Sequence, residues 1–191
     1  MTPRGGALSL APGSAHPTLL FGQNEPGFGA ATAVEGDVLY AFGCVRDGLT
    51  FHCLVGQVPL EFVLDRSAWR FWDGVEWSPS LSKARPVLDA GSILSVQYNS
   101  YLGQWTAIYS APLSNDVLVR TAPALVGPWS DATRLFTADR RGFGGTSYDA
   151  QAHAELVEGN GQVLYVSYSR PNGNGPFGSE FALVRVSLGK P

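Results

Sequence analysis

Apolar and polar residues alternate with a period of two along three similar segments of the chain. The alternation is clearest in the runs VLYAFG (38–43), WTAIYS (105–110) and VLYVSYS (163–169). Such alternation of β-branched and aromatic residues is typical of strands that bury one face. Each run is preceded by another strand-like run and a tight turn, at residues 35–37, 101–103 and 159–161. The pattern therefore predicts three β-hairpins, the third beginning at residue 152.

Other runs extend the hairpins into larger units. Third strands are predicted at residues 52–59, 116–123 and 181–188, and fourth strands near 69–72 and at 133–137. Residues 17–22 resemble 133–137 and predict one more outer strand, whereas only 60–68 favours a helical turn. Four-stranded antiparallel units that repeat about every sixty residues are typical of β-propeller blades. We therefore predict an all-β propeller fold, with a two-sheet sandwich as the alternative.

These elements organise residues 1–191 as a single partial β-propeller domain. It comprises a blade-closing strand (17–22), two blades (28–77 and 92–137) and an incomplete blade (148–188). Known propellers have about four to eight blades, and an open arc of three exposes apolar blade faces. We therefore expect further blades upstream of this chain, or otherwise self-association of copies to close a ring.

Composition narrows the class of partner. Charged residues make up 15% of the chain, the net charge is −3, and the only basic pair is Arg140-Arg141 in a Gly-rich loop. A protein that binds a phosphate backbone needs a basic face, so nucleic acid is not expected as a partner. No apolar run is long enough to span a membrane, and the first 16 residues lack the apolar core of an export signal.

The two cysteines flank a predicted hairpin tip. Centring the turn on Gly48-Leu49 places Cys44 opposite Cys53, at a distance that a cross-strand disulfide can close. The alternative is a pair of buried free thiols. A disulfide implies an oxidising compartment, so the expected location is extracellular or periplasmic.

Several motifs resemble a bacterial exported domain of unknown function that is similar to the five-bladed propeller glycosidases, which include arabinanases. The motifs are FGQNEPGFGAA (21–31), LYAFGC (39–44), AWRFWDG (68–74) with Trp77, SVQYN (95–99), RTA (120–122), GPWS (127–130) and YDAQAHAEL (148–156). The resemblance implies a five-bladed propeller acting on a polysaccharide or oligosaccharide such as an arabinan. It also implies that a calcium ion or another cation can lie on the propeller axis, although no cofactor is required by the sequence.

Two departures from the family bear on activity. Ala154 stands where the family is expected to have proline, and the family is longer at its N-terminus by about two blades. The resemblance implies that the catalytic base comes from the first blade, which this chain does not contain. The alternative function is therefore a non-catalytic carbohydrate-binding or scaffold propeller.

The candidate site residues are those predicted on or just before innermost strands, which line the axial channel of a propeller. Glycoside hydrolysis needs two carboxyl groups across the sugar, one of them held protonated. Glu155 is the first catalytic candidate, because it shares a predicted strand face with His153. Its structural alternative is a buried pair with Arg120 or Arg185. His153 is either a substrate contact facing the axis or a core histidine, and no metal-ligand spacing surrounds it.

Further candidates lie at the predicted channel mouth. Asp149 and Glu25 precede innermost strands and are the other catalytic candidates, although Glu25 also suits a turn before Pro26-Gly27. Tyr148 is predicted to contact substrate beside Asp149. The remaining predicted substrate contacts are Gln97 and Phe28.

Overall fold

The structure is a computed structural model that describes residues 19–22, 24–142, 144–175 and 178–189. Within these residues it contains three antiparallel sheets, and its helical residues are confined to short 3-10 turns. The predicted all-β fold with blade-like sheets is therefore confirmed. No helix in these ranges has the length and hydrophobicity needed to cross a membrane.

The first sheet is the largest. Its strands are β1 (Phe28–Glu35), β2 (Val38–Asp47), β3 (Thr50–Pro59), β4 (Arg70–Trp72) and β5 (Trp77–Ser78), paired in that order. A sixth strand, β6 (Leu88–Ala90), pairs with the first half of β3 and was not predicted, because three residues carry too little periodicity to detect. The helical turn predicted within 60–68 is present as two 3-10 turns, Leu60–Phe62 and Arg66–Ala68.

The second and third sheets repeat the same meander. The second contains β7 (Leu94–Asn99), β8 (Gln104–Ser110), β9 (Asp116–Ala122) and β10 (Thr133–Thr137). The third contains β11 (Tyr148–Ala152), β12 (Val163–Pro171) and β13 (Ser179–Ser187). The innermost strands are neighbours, since β7 contacts β1 on one side and β11 on the other. The predicted outer strand 17–22 lies partly outside the described residues.

The sheets pack face to face through apolar clusters. Residues of the first and second sheets share one buried cluster that includes Phe42, Val55 and Trp105. The second and third sheets share another that includes Ile108 and Tyr168. Burial of these large apolar side chains is the main favourable contribution to blade stacking. It explains why the second strands, which supply much of each cluster, had the clearest alternation in the sequence.

The hairpin between β2 and β3 has the predicted register. Asp47 pairs with Thr50 across the turn, and Gly48 has a φ of +61°, which glycine adopts without strain. Cys44 lies opposite Cys53 with their Cα atoms 3.9 Å apart, and the two form a disulfide. The alternative of two free thiols therefore does not describe this structure.

The third hairpin differs from the prediction. The sequence placed a strand from residue 152 to 158, but β11 ends at Ala152 and is followed by a 3-10 turn, Ala154–Leu156. Glu158 retains only an isolated bridge to Val163. The chain then passes through Asn160 and Gly161, both with positive φ, which brings it against Asn99 of the second sheet. The turn that contacts the neighbouring blade thus replaces the end of the strand.

Candidate functional site

A cavity of about 320 Å³ lies between the three innermost strands. β1 contributes residues 29–32, β7 contributes 94–97, and the end of β11 with its following turn contributes 151–152 and 154–155. Small residues such as Ala31 and Ala152 form its walls, so the side chains do not fill the space between the three strands. The polar groups around it are Thr32, Ser95, Gln97, Gln151 and Glu155.

Ser95 fixes the relative position of two of these strands. Its hydroxyl oxygen accepts a hydrogen bond of 2.8 Å from the backbone N–H of Ala152. The same hydroxyl lies 3.5 Å from the carbonyl oxygen of Ile108, to which it can donate. Because one side chain joins β7, β8 and β11, the cavity has defined walls.

Glu155 projects from the 3-10 turn at the edge of the cavity, and 69% of its side chain is exposed. Its Oε1 lies 3.1 Å from Nδ1 of His153, whose Nε2 lies 2.8 Å from the hydroxyl of Ser167. With its proton on Nδ1, the imidazole donates to Glu155 and accepts from Ser167. The predicted contact between Glu155 and His153 is thus present, although the two residues share a turn and not a strand face.

The electrostatics of Glu155 favour its ionised form. A hydrogen bond from its own backbone N–H lowers the pKa of the carboxyl group, and the hydrogen bond with His153 lowers it further. Neither arginine named as an alternative partner contacts it. Arg120 donates to Tyr109 and to the carbonyl of Ser130, and Arg185 pairs with Glu158. A general acid needs a raised pKa, so this arrangement suits a carboxylate that accepts protons or hydrogen bonds.

Gln97 is the most deeply buried polar side chain of the cavity, with 9% of its surface exposed. Within the described part of the chain its amide group has no hydrogen-bond partner, and it also lines a smaller cavity beside Asn99. An amide in this setting has two donors and an acceptor free for a ligand. Gln151 lines the same cavity but was not predicted as a site residue, although in an alternating strand it would face the same side as His153 and Glu155.

The alanines at 152 and 154 are placed differently from the prediction. A strand that continued to residue 155, with His153 and Glu155 facing the channel, would turn these two alanines away from it. In the structure both line the cavity, whereas His153 does not. The strand prediction was wrong here, because the 3-10 turn breaks the period-two alternation after Ala152.

Asp149 and Tyr148 lie at the beginning of β11 and line a separate cavity of about 130 Å³. A bulge in the pairing of β11 with β12 falls between Tyr148 and Gln151, and it separates these residues from the central cavity. Burial raises the pKa of the Asp149 carboxyl group. Tyr148 is 44% exposed.

Glu25 and Phe28 have structural contacts at the first sheet. The carboxylate of Glu25 lies 3.0 Å from Nη2 of Arg66 and accepts a 2.7 Å hydrogen bond from the N–H of Gly22. Phe28 packs against Phe21 and Phe71, at ring-centroid distances of 4.6 and 5.4 Å. Neither residue lines the central cavity, so the structure does not bring them together with Glu155.

The surroundings of His153 do not fit a directly bound cation. Both of its ring nitrogens already face a hydrogen-bonding side chain, Glu155 on one side and Ser167 on the other. Among the described residues, no cluster of three or more His, Cys, Asp or Glu side chains is arranged to hold a metal ion. We therefore derive no role for an axial cation.

The sequence profile of a family described as a domain of unknown function (DUF4185) matches residues 11–177. No curated protein sequence matches the chain. Three solved structures share its fold at low sequence identity, and their identities of 11–18% establish the fold alone.

The first is a Bacteroides ovatus protein described as a candidate hydrolase, with a TM-score of 0.60, 18% identity and coverage of 82% of this chain and 44% of its own. The second is the catalytic domain of the Coprinopsis cinerea GH62 α-L-arabinofuranosidase, with a TM-score of 0.55, 11% identity and coverage of 95% and 50%. The third is a candidate exo-β-1,3-galactanase from Bifidobacterium bifidum, with a TM-score of 0.51 and 16% identity. The match covers 95% of this chain and 56% of the galactanase chain. The chain thus spans about half the length of each structure, and its fold is that of β-propeller glycosidases.

Proposed function

We propose that this chain, which belongs to the DUF4185 family, contributes three blades to a five-bladed, glycoside-hydrolase-like propeller that acts on a polysaccharide such as an arabinan. The polysaccharide is held in the central cavity between β1, β7 and β11. The fold shared with an arabinofuranosidase and a galactanase supports this class of ligand.

The observation that carries the proposal is the convergence of Gln97, Gln151 and Glu155 on one cavity. Amide and carboxylate groups together offer donors and acceptors, which is what the adjacent hydroxyls of a sugar require. Gln97 is largely buried at the wall of the cavity, where its amide can hydrogen-bond a ligand. The volume of about 320 Å³ lies at the lower end of the range of small-molecule sites.

Glu155 has a defined role in this proposal. Its carboxyl group is ionised at neutral pH, so it accepts hydrogen bonds from sugar hydroxyls, although its lowered pKa makes it a weak base towards a nucleophilic water. Of the two carboxyl roles in glycoside hydrolysis, Glu155 is therefore proposed for the ionised one and not for the general acid. Hydrolysis also needs a second carboxyl group about 5–10 Å away across the sugar.

One observation favours a second candidate function, carbohydrate binding without hydrolysis. Among the residues that the structure describes, Glu155 is the one carboxylate that lines the central cavity. Asp149 lines a different cavity and Glu25 is paired with Arg66. A binding propeller needs the amides and the open cavity but not a second acid.

We also propose an exported location for the protein. The disulfide between Cys44 and Cys53 supports this location, because disulfides persist mainly in oxidising compartments. A polysaccharide ligand is consistent with the same compartment.

The test compares binding and hydrolysis in matched variants of the chain. Affinity electrophoresis in gels containing arabinan, xylan or galactan measures binding, and release of reducing ends measures hydrolysis. Gln97→Ala is expected to weaken binding about fivefold, because one hydrogen bond contributes about 1 kcal/mol. Its control is Gln162→Ala, an exposed glutamine outside the cavity.

Glu155→Gln separates the two candidate functions. In a protein that has all of its blades, loss of reducing-end release with binding retained supports hydrolysis, whereas binding without release before the substitution supports the binding function. Glu61→Gln is the control, because Glu61 also lies in the first turn of an exposed 3-10 segment. If the unchanged chain binds none of the three polymers, both candidate functions are refuted.

A further inference from the structure

We propose that the cavity at the beginning of β7 and β11 is a second ligand site, which binds one neutral sugar ring through Ser147, Tyr148 and Asp149. This site does not depend on the central cavity. It is lined by the segments that enter β7 and β11, by Phe51 of the first sheet and by the turn after β8 at residues 111–113. Three sheets therefore meet at this site.

The side chain of Ser147 indicates that a ligand group belongs here. Ser147 is 4% exposed, and its hydroxyl has no hydrogen-bond partner within the described ranges. Its backbone N–H is satisfied by Oδ1 of Asn115 at 2.9 Å, so the local backbone needs nothing further from the hydroxyl. Buried hydroxyls are rarely left without a partner, and a ligand hydroxyl at the cavity can supply one.

The backbone at this cavity is strained on both sides. Asp149 has a φ of +56° and Leu113 has a φ of +51°, and both residues line the cavity. Side chains other than glycine rarely adopt this conformation, and such residues cluster at functional sites. The next residue, Ala150, donates its N–H to the hydroxyl of Ser110 at 3.0 Å, which fixes the bulge in place.

The chemistry of the lining residues selects the ligand class. Ser147 and Asp149 are hydrogen-bonding groups, and the exposed ring of Tyr148 provides a surface on which a sugar can stack. Phe51 and Ile93 supply apolar walls for the C–H face of a ring. The described lining contains no Lys, Arg or His, so an anion is not favoured, and one carboxylate is too few for a dedicated cation site.

Asp149 is adapted to a neutral ligand. Burial raises the pKa of its carboxyl group, so the neutral form, which can donate as well as accept a hydrogen bond, is favoured more than in an exposed aspartate. The cavity of about 130 Å³ accommodates a single ring in part, leaving the rest of a chain in solvent. The site is therefore suited to the end of a saccharide chain or to a monosaccharide.

The experiment uses saturation-transfer NMR of the chain with L-arabinose, D-xylose and D-galactose, each supplied separately at millimolar concentration. At least one sugar is expected to receive saturation from the Tyr148 ring and to shift the amide resonances of residues 147–150. Ser147→Ala and Asp149→Asn are each expected to raise the dissociation constant about tenfold. Tyr148→Ala removes the stacking surface and should also weaken binding. Its control is Phe181→Ala, because Phe181 is an exposed aromatic residue of β13 outside this cavity.

A second variant separates binding from folding. Asp149→Gly is compatible with the positive φ, so the chain is expected to stay folded while binding weakens at least as much as in Asp149→Asn. Gln162→Ala, at an exposed glutamine outside both cavities, is expected to leave this binding unchanged, and shifts confined to the amides of residues 147–150 distinguish the site from the central cavity. Unchanged affinity in Ser147→Ala, or no saturation transfer to any of the three sugars, overturns the proposal and assigns the buried hydroxyl to an ordered water.

Discussion

The side-chain amide of Asn99 holds the second sheet to the third through the backbone of Gly161. Its Nδ2 donates a 2.9 Å hydrogen bond to the carbonyl oxygen of Gly161, and its Oδ1 accepts one from the N–H of Leu102. Asn99 is 1% exposed. A Cβ atom at Gly161 would lie 2.8 Å from both polar atoms of this amide, so the contact requires glycine.

We expect Gly161→Ala to destabilise the chain through both clash and backbone strain. Its φ of +98° is unfavourable for alanine, and the added methyl group displaces the Asn99 amide from its two partners. The expected loss is about 3 kcal/mol in the free energy of unfolding. Gly103→Ala is the matched control, because Gly103 has a φ of +66° with open space at its Cβ, and it should lose only about 1 kcal/mol. Equal losses in urea denaturation would contradict the proposed clash.

The ion pair between Glu25 and Arg66 predicts that Glu25 acts in stability and not in catalysis. The guanidinium group of Arg66 also lies over the rings of Phe21 and Phe71, at 4.7 and 4.9 Å, and its side chain is 18% exposed. Glu25→Gln removes the charge partner of this partly buried cation, with an expected loss of about 1 kcal/mol.

Polysaccharide binding and any hydrolysis should be unchanged in Glu25→Gln. Thermal unfolding and the binding assay check the two statements separately. Glu76→Gln, at an exposed acid in the turn between β4 and β5, is the control for loss of one negative charge. A loss of turnover at unchanged stability would restore the catalytic role that the sequence analysis assigned to Glu25.

The sequence predicted those features that periodicity encodes. The period-two runs at 38–43, 105–110 and 163–169 lie in the second strands, and the Gly48-Leu49 turn gave the register that opposes the two cysteines. In these segments burial of one face dictates the residue pattern directly. The fold class could therefore be inferred without a structure.

The candidate site was less predictable, because it depends on places where the strand pattern stops. The 3-10 turn at 154–156 moves Ala154 into the cavity and His153 out of it, against the alternation expected of a strand. The bulge between Tyr148 and Gln151 likewise separates Asp149 from Glu155. Bulges and single turns carry little signal in sequence, since they are set by contacts with neighbouring blades, as with Gly161 and Asn99.

The cross-strand disulfide predicts a stability that depends on oxidation. Cys44 and Cys53 close a loop with a sequence separation of 9, for which the chain-entropy model gives a stabilisation of roughly 2–3 kcal/mol. The double variant Cys44→Ala/Cys53→Ala should therefore melt roughly 5–10 °C below the unchanged oxidised chain. Addition of a reductant should lower the melting temperature of the unchanged chain but not that of the double variant. A reductant effect of equal size on both would show that it does not act through this bond.

The pair between Glu158 and Arg185 predicts an acid-dependent contribution to stability in the third sheet. Two hydrogen bonds from Arg185, at 2.9 and 3.2 Å, and one from the Tyr165 hydroxyl lower the pKa of Glu158 from 4.5 to about 2. Because the folded pKa lies below the ordinary value, the unfolded chain binds more protons between about pH 2 and 4.5. The stabilisation is thus complete above pH 4.5 and is lost as the pH falls through 2.

Titration of the Glu158 carboxyl group by carbon-detected NMR checks this assignment. Arg185→Gln should return the pKa most of the way towards 4.5, whereas Tyr165→Phe should raise it less, because the arginine is the larger cause of the shift. Arg134→Gln, an exposed arginine on β10, is the control for the change in net charge. Both partners are about half exposed, so added salt should weaken the pair and raise the Glu158 pKa in the unchanged chain. A Glu158 that titrates at its ordinary value in low salt would exclude the pair as a stabilising contact in solution.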